Sequence, residues 1–454
     1  MTKKLELLMP AWDMEKLKFA FAYKADAVYV WVPMFSLRAR TNSFTMETLK
    51  EAVEYAHNLW KKIYFTANIY AHNIKINPFL SQFEKMVEMK PDAFIMSDPW
   101  LINIVRKKYS DVEIHLSVQA NNTNWAQAEF WRDIWIKRII LSREISIKEI
   151  KEIHNAVPDI ELEAFVHGAI CMAYSWRCLI SNYLSNRDSN QWTCSHSCRW
   201  EYKVFKNDKT IEELETLTWR EDDYEELTWN YFLEEKKRPG EFMEIDEDEY
   251  WTYLMNSRDL CAIDYIKELS DAWIISFKVE WRNKTLNYLA SVWLSYREAL
   301  DAVEAWKDYD AKKLASELFS IANRWYIPGF LAWNPWAWGQ YYEKNEWFQT
   351  KLFLWIVRDF DKKNSLSRIE VKNKFNLWDE IEIITPDWIY KQKIKTIKKI
   401  QTANNSIKRP WLKPNVYDEK LSKDVNSAHW GWYEVWINAE KDYWEFALIR
   451  KNKD

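Results

Sequence analysis

Glycine is nearly missing from this chain of 454 residues, which has 5 of them against 30 tryptophans. Globular proteins carry about 7% glycine, so roughly 30 would be ordinary at this length. A chain so poor in glycine has few residues that take positive φ cheaply at turns and helix ends. Tryptophans stand where such residues belong. Trp12 in MPAWDMEK follows an apolar run and precedes the candidate helix cap Asp13, and Trp60 in AHNLWKKIYF separates an amphipathic helix from a strand. Trp281 in FKVEWRNK ends a strand, Trp325 lies in ANRWYIPGF, and Trp333, Trp336 and Trp338 crowd beside Gly339. Tryptophan is not a turn residue. The pattern is that of a gene whose UGA codons specify glycine, as in some bacteria, written out with tryptophan in their place. Trp125, Trp131 and Trp200 sit in contexts that suit real indoles. A genuinely tryptophan-rich, carbohydrate-binding chain is the alternative, and the turn positions argue against it.

Other absences narrow the class. No run approaches 18 apolar residues, and the start MTKKLELLMPAWD has no apolar core before charge returns, so a soluble, cytoplasmic protein with no membrane partner is expected. The net charge of −4 carries no global polyanion-binding signature, so nucleic acid would have to meet a local patch. Neither an HExxH zinc helix nor a GxSxG elbow is present. Cysteine is also scarce, with 5 in all. Four of them, Cys171, Cys178, Cys194 and Cys198, follow C-x6-C-x15-C-x3-C, which in a reducing compartment points to metal or redox chemistry before disulfides.

Eight short apolar or β-branched runs recur between helix-period segments: 5–11, 27–31, 62–70, 93–98, 113–120, 138–144, 161–169 and 276–281. Alternating strand and helix implies a parallel sheet. Eight units predict a closed (β/α)8 barrel of the TIM type, with an open doubly wound sheet as the alternative. Barrel chemistry sits at the carboxyl ends of strands, where this sequence turns polar: Asn68, Asp98, Gln119, Arg143 with Glu144, His167, and Glu280 with Arg282. Between the seventh and eighth strands lies a cysteine-rich insertion, 170–275, long enough to be functional. The barrel with its insertion is expected over 1–345. Residues 346–454 alternate in the manner of a small antiparallel β-domain, expected to be a barrel, and carry the densest basic segment, 391–414, a candidate RNA contact.

Four thiolates suit Zn2+ or an iron–sulfur cluster, and the irregular spacing, unlike paired CxxC knuckles, favours the cluster. Trp176 between Cys171 and Cys178 is intelligible there only as a small residue that lets the backbone turn around the metal. Cys261 is either an alternative fourth ligand or, as we favour, an inert core thiol. His167, four residues before Cys171, is either a hydrogen-bonded core residue or a catalytic one.

The block ELEAFVHGAICMAYSWRCLISNYLSNRDSNQWTCSHSCRWEYKV resembles the peptidase U32 family, labelled collagenase-like. The similarity continues in LLMPAWDMEKLKFAF, YVWVPMFSLRAR, HLSVQANNTNWAQAEFW, RPGEFMEIDEDEYWTYLMNSRDLC and SFKVEWRNKT, over most of residues 5–330. The family pattern has glycine at Trp12, Trp31, Trp176, Trp251, Trp273 and Trp281. The resemblance is strongest to the branch that hydroxylates C5 of tRNA wobble uridine 34. It implies a [4Fe-4S] cluster on Cys171, Cys178, Cys194 and Cys198, prephenate as co-substrate, a tRNA anticodon stem-loop as partner, and a further electron-donor or assembly partner. His167, Glu280, Arg282 and Arg143 are then the candidate catalytic residues, and Arg38, Asn68 and Gln119 the candidate substrate contacts. The alternatives are a peptidase using a Cys171–His167 pair, which leaves three clustered cysteines unexplained, and an RNA-binding scaffold with a structural cluster.

Overall fold

The structure is a computed structural model that describes residues 4–36, 43–170, 258–280, 286–332, 348–400, 422–429, 434–443 and 446–453, with Ser181 and the short strands β8 (Tyr202–Lys206), β9 (Tyr231–Glu235) and β10 (Phe242–Ile245) between them. Seven parallel strands open the chain: β1 (Glu6–Ala11), β2 (Ala27–Trp31), β3 (Lys62–Thr66), β4 (Ala93–Met96), β5 (Ile114–Leu116), β6 (Arg138–Ile140) and β7 (Glu161–Ala169). Each pairs in register with the next. The ring closes through β12 (Ile274–Val279), which runs parallel to both β1 and β7. The eight runs expected from sequence are the eight staves of a TIM-like barrel.

Local sequence explains the alternation. The strands are buried on both faces, as staves covered by helices must be, and all five residues of β2 are buried. Six of the described helices begin where a short polar side chain takes up a free N–H. Asp13 caps Met14–Ala22, Asp98 caps Pro99–Lys108, and Ser146 forms a reciprocal box with Glu149 at the start of Ile147–Ala156.

Helix ends are less orthodox. Six tryptophans, Trp60, Trp135, Trp273, Trp306, Trp325 and Trp378, hold φ between 56° and 71°, the left-handed region. After Met46–Asn58, Trp60 N–H donates to His57 O and Lys61 N–H to Ala56 O. Trp135 with Ile136 and Trp306 with Lys307 repeat this pair of bonds after Trp125–Asp133 and Leu286–Glu304. This is the Schellman closure, whose left-handed position is usually glycine. The φ values support the reading of these positions as glycines. Trp12 does not share the feature, since its φ is not positive. Trp131 is buried, as a real indole should be, whereas Trp125 is 52% exposed.

The barrel interior is charged rather than purely apolar. Glu6, Arg138, Glu163 and Lys278 point inward and form one ion-pair network, with Arg138 2.6 Å from Glu6 and 3.3 Å from Glu163, and Lys278 2.8 Å from Glu163. The Ser276 hydroxyl lies 2.8 Å from Glu6 and 3.1 Å from Glu163, and Tyr64 donates to Glu6 at 2.6 Å. Burial opposes ionisation of Glu6, yet Arg138 and these hydrogen bonds hold its pKa down at about 2.

Outside the ring, β11 (Asp259–Cys261) runs antiparallel to β7, and β13 (Tyr326–Ile327) pairs with β11. Both β11 and the helix Ile266–Asp271 lie inside the range 170–275 yet pack with the barrel wall. The C-terminal region is a curled antiparallel sheet. Its strands are β14 (Lys351–Asp361), β15 (Leu366–Val371), β17 (Glu380–Ile384), β18 (Ile389–Lys393), β19 (Ile397–Ile400), β20 (Ser422–Asp424), β22 (Glu434–Asn438) and β23 (Leu448–Asn452), with the pair β16 (Phe375–Asn376) and β21 (Ser427–Ala428) beside it. It has its own core around Trp355, Ile369 and Ile449. Polar contacts tie it to the barrel helices: the Tyr23 hydroxyl lies 3.0 Å from Ile384 O and 2.9 Å from Phe446 O, and buried Arg450 donates to both Glu317 and Glu382.

Candidate active site

At the carboxyl ends of the strands a cleft of about 470 Å³, counting the part continuous with solvent, is lined by Tyr29, Trp31, Thr66, Asn68, Ile95, Ser117, Val118, Ile140, Arg143, Phe165, Lys278 and Glu280. Strand periodicity aims these groups inward. In β12 and its extension, Ser276, Lys278 and Glu280 alternate with Phe277 and Val279, which face the outer core.

Arg143 and Glu280 are the centre of the cleft. Nη1 of Arg143 lies 2.7 Å from Oε2 of Glu280, with side chains only 7% and 3% exposed. The same Nη1 donates to Ala169 O at the end of β7, and the guanidinium carbon stands 4.0 Å above the Phe165 ring. Nε and Nη2 of Arg143 are buried with no hydrogen-bond partner among the described residues. A guanidinium presents paired donors in a fixed fork that matches a carboxylate or phosphate.

Glu280 reaches this position because Gly168 has no side chain. Gly168 sits at φ +123°, and a Cβ there would meet both Cβ and O of Glu280 at 2.7 Å. Across this contact Glu280 N–H donates to His167 O at 2.8 Å.

On another wall, Asn68 donates to Ser117 at 3.3 Å and its carbonyl accepts from Ser97 at 2.7 Å. Lys278 lies below, its ammonium 4.1 Å from the Tyr29 ring centre. Burial pushes the Lys278 pKa down, against the pull of Glu163.

Of the residues predicted from sequence, Arg143, Glu280 and Asn68 meet in the cleft. Gln119 is buried but does not line it; its carbonyl accepts from Tyr70 and Asn121. His167 is also absent from the lining. A register shift in β7 beside Val279 goes with a turn of its ring outward, into a cage of Tyr288, Tyr296 and Tyr326, with Nδ1 3.3 Å from the Tyr296 hydroxyl. Cys261 pairs with His167 across the strands, and burial pushes its thiol up to about 12, in keeping with an inert core cysteine. Asp98 serves as a helix cap. Arg38, Arg282, Cys171, Cys178, Cys194 and Cys198 lie outside the described residues. Lys278 is the charged residue of the lining that the sequence did not reveal; its place two residues before Glu280 on one strand face was the available signal.

The description "Peptidase family U32" matches residues 12–337. The chain belongs to peptidase family U32. Similar proteins include "tRNA hydroxylation protein P" of Escherichia coli (strain K12), 42% identical over 407 residues that cover 84% of this chain and 86% of that protein. "tRNA hydroxylation protein P1" of Bacillus subtilis (strain 168) is 32% identical over 388 residues, covering 85% of each. The "23S rRNA 5-hydroxycytidine C2501 synthase" of Escherichia coli (strain K12) is 29% identical over 300 residues, 66% of this chain and 40% of that protein. In this U32 protein, the described lining of the cleft offers no histidine or cysteine to serve as a peptidase nucleophile and base.

Proposed function

We propose that this U32 protein is a tRNA-modifying enzyme that converts wobble uridine 34 to 5-hydroxyuridine, with prephenate as co-substrate and a [4Fe-4S] cluster on Cys171, Cys178, Cys194 and Cys198. The observation that carries this reading is the 42% identity to a tRNA hydroxylation protein over 84% of the chain. Peptide hydrolysis has the family's name behind it, but no histidine or cysteine is among the described residues that line the cleft.

Replacing C5–H by C5–OH with water as the oxygen source releases two protons and two electrons, so the C5 proton must leave and the electrons must pass to an acceptor. The cluster, when bound, would supply redox capacity, and its first ligand follows the cleft residue contact Ala169 by two positions in the chain. The chain's own residues do the rest. Arg143 receives a carboxylate on Nε and Nη2, Asn68 supplies a neutral polar wall, and Glu280 is the carboxylate placed to hold a proton. Arg38 and Arg282 are further candidate anion contacts, and His167 acts as a positioning residue behind β7. The tRNA anticodon stem-loop would meet the basic segment 391–414, whose described part exposes Lys391 by 81% and Lys393 by 56%. A tRNA substrate places the reaction in the cytoplasm, and an electron-donor or assembly partner completes the system.

The test uses the chain with glycine at the suspect tryptophans, expressed without oxygen in a bacterium that lacks wobble 5-hydroxyuridine. Nucleoside mass spectrometry of its tRNA should show 5-hydroxyuridine with the intact chain and none with Cys171→Ala. Folded, iron-loaded protein that leaves the tRNA unmodified would overturn the reading.

A further inference from the structure

Lys278 is a barrel lysine with two neighbourhoods. Its ammonium donates to Glu163 at 2.8 Å on the side of the interior ion-pair network, and the same side chain lines the cleft. It shares a wall with the guanidinium: the Phe165 ring has Arg143 Cζ at 4.0 Å and Lys278 Nζ at 5.7 Å from its centre. The cleft therefore combines a primary amine held against a carboxylate with a guanidinium whose Nε and Nη2, in a side chain 7% exposed, are without partners among the described residues.

An amine beside an anion fork is the arrangement that recognises a 2-oxo acid, whose carboxylate takes the fork and whose ketone carbon meets the amine. We propose that Lys278 forms an imine with the ketone of a 2-oxo acid whose carboxylate is held by Arg143. This deepens the reading above, on which it rests, because prephenate carries a 2-oxo acid side chain.

The step balances within the site. Glu163 accepts one proton from the Lys278 ammonium, and the neutral Nζ adds its electron pair to the ketone carbon, giving a carbinolamine. The C–O bond then breaks, and the oxygen leaves as water with two protons that came from the ammonium, one returned through Glu163. The product is a protonated C=N bond between Lys278 and the acid, with no change in oxidation state. Burial, which lowers the Lys278 pKa, works in the same direction.

The experiment incubates the full chain with pyruvate, and separately with prephenate, in the presence of cyanoborohydride, and maps the modified lysines by peptide mass spectrometry. Expected is a reduced adduct on Lys278 at least 10-fold above any surface lysine, and its loss in Lys278→Arg, which keeps a cation opposite Glu163 but cannot form an imine. Arg143→Gln should lower trapping by a similar factor while the protein still melts cooperatively. Adducts spread evenly over surface lysines, or trapping unchanged in Arg143→Gln, would overturn the proposal. Nucleoside analysis of tRNA separates it from the parent reading. Full 5-hydroxyuridine formation by Lys278→Arg would overturn the imine and leave the hydroxylase standing. A Lys278 adduct in a chain that never modifies tRNA would support the imine and remove the hydroxylase.

Discussion

Gly168 leaves no room between itself and Glu280 at the mouth of the barrel: a Cβ on Gly168 would lie 2.7 Å from both Cβ and O of Glu280. The position of the cleft's carboxylate thus depends on a missing side chain on the neighbouring strand. Gly168→Ala should cost about 2–4 kcal/mol, from positive φ and from overpacking. Because the clash falls on Glu280, activity should drop further than stability; thermal melts beside tRNA nucleoside analysis would check this. Wild-type activity in that variant would show that Glu280 has no fixed place in the chemistry.

Arg143 and Glu280 should behave as a coupled pair. Arg143→Ala leaves a carboxylate buried and uncompensated, which costs about 3–5 kcal/mol. Glu280→Gln strands the buried guanidinium in turn, at a cost of the same order, and should lower turnover by roughly 10²-fold or more if the group handles a proton. A double-mutant cycle on unfolding free energy should return strong coupling, and simple additivity would rule out the direct pair.

The left-handed tryptophans should be replaceable with profit. Trp60→Gly, Trp135→Gly and Trp306→Gly each remove a side chain from a φ between 56° and 65° at positions at least 80% exposed, so each should stabilise by about 1 kcal/mol in urea unfolding. Peptide masses from the source cell should read glycine there. Tryptophan in those peptides would defeat the reassignment of UGA.

Acid should loosen the barrel from inside. The folded pKa of Glu6, about 2, lies below its ordinary 4.5, so ionised Glu6 favours the folded state. That contribution is complete above about pH 4.5 and is lost as pH falls towards 2, and its size is on the order of 3 kcal/mol. Glu6→Gln should flatten the fall of stability across that window, and an unchanged slope would mean Arg138 does not hold the charge.

Much of this was legible in the residues. Strands such as AVYVW and ELEAFVHGA announce themselves because parallel staves are buried on both faces and so rich in apolar and β-branched residues, and Asn68, Arg143 and Glu280 follow from the rule that barrel chemistry sits at strand ends. Gln119 and His167 satisfied the same rule without lining the cleft. For His167 the reason is a register shift that no periodicity reveals. Lys278 was hidden by the opposite prejudice, since a lysine inside a strand reads as a solvated edge until its partner Glu163, 115 residues away in sequence, is seen. The segment WIYKQKIKTIKKI, which reads as one strand, is two: β18 pairs with β17 and β19 with β22, broken between Lys393 and Ile397.

The stave that closes the ring is also the last to be made. β7 ends at Ala169 and β12 begins at Ile274, so at a synthesis rate of 5–20 residues per second the ribosome needs roughly 5–20 s to deliver the closing strand. Until the eighth stave arrives, β1 lacks one neighbour and β7 has only the short β11 beside its end, the kind of edge on which chains aggregate. All four clustered cysteines emerge during the same interval. The four thiols are therefore made before the ring can shut, an order that would be reversed if they followed the eighth stave.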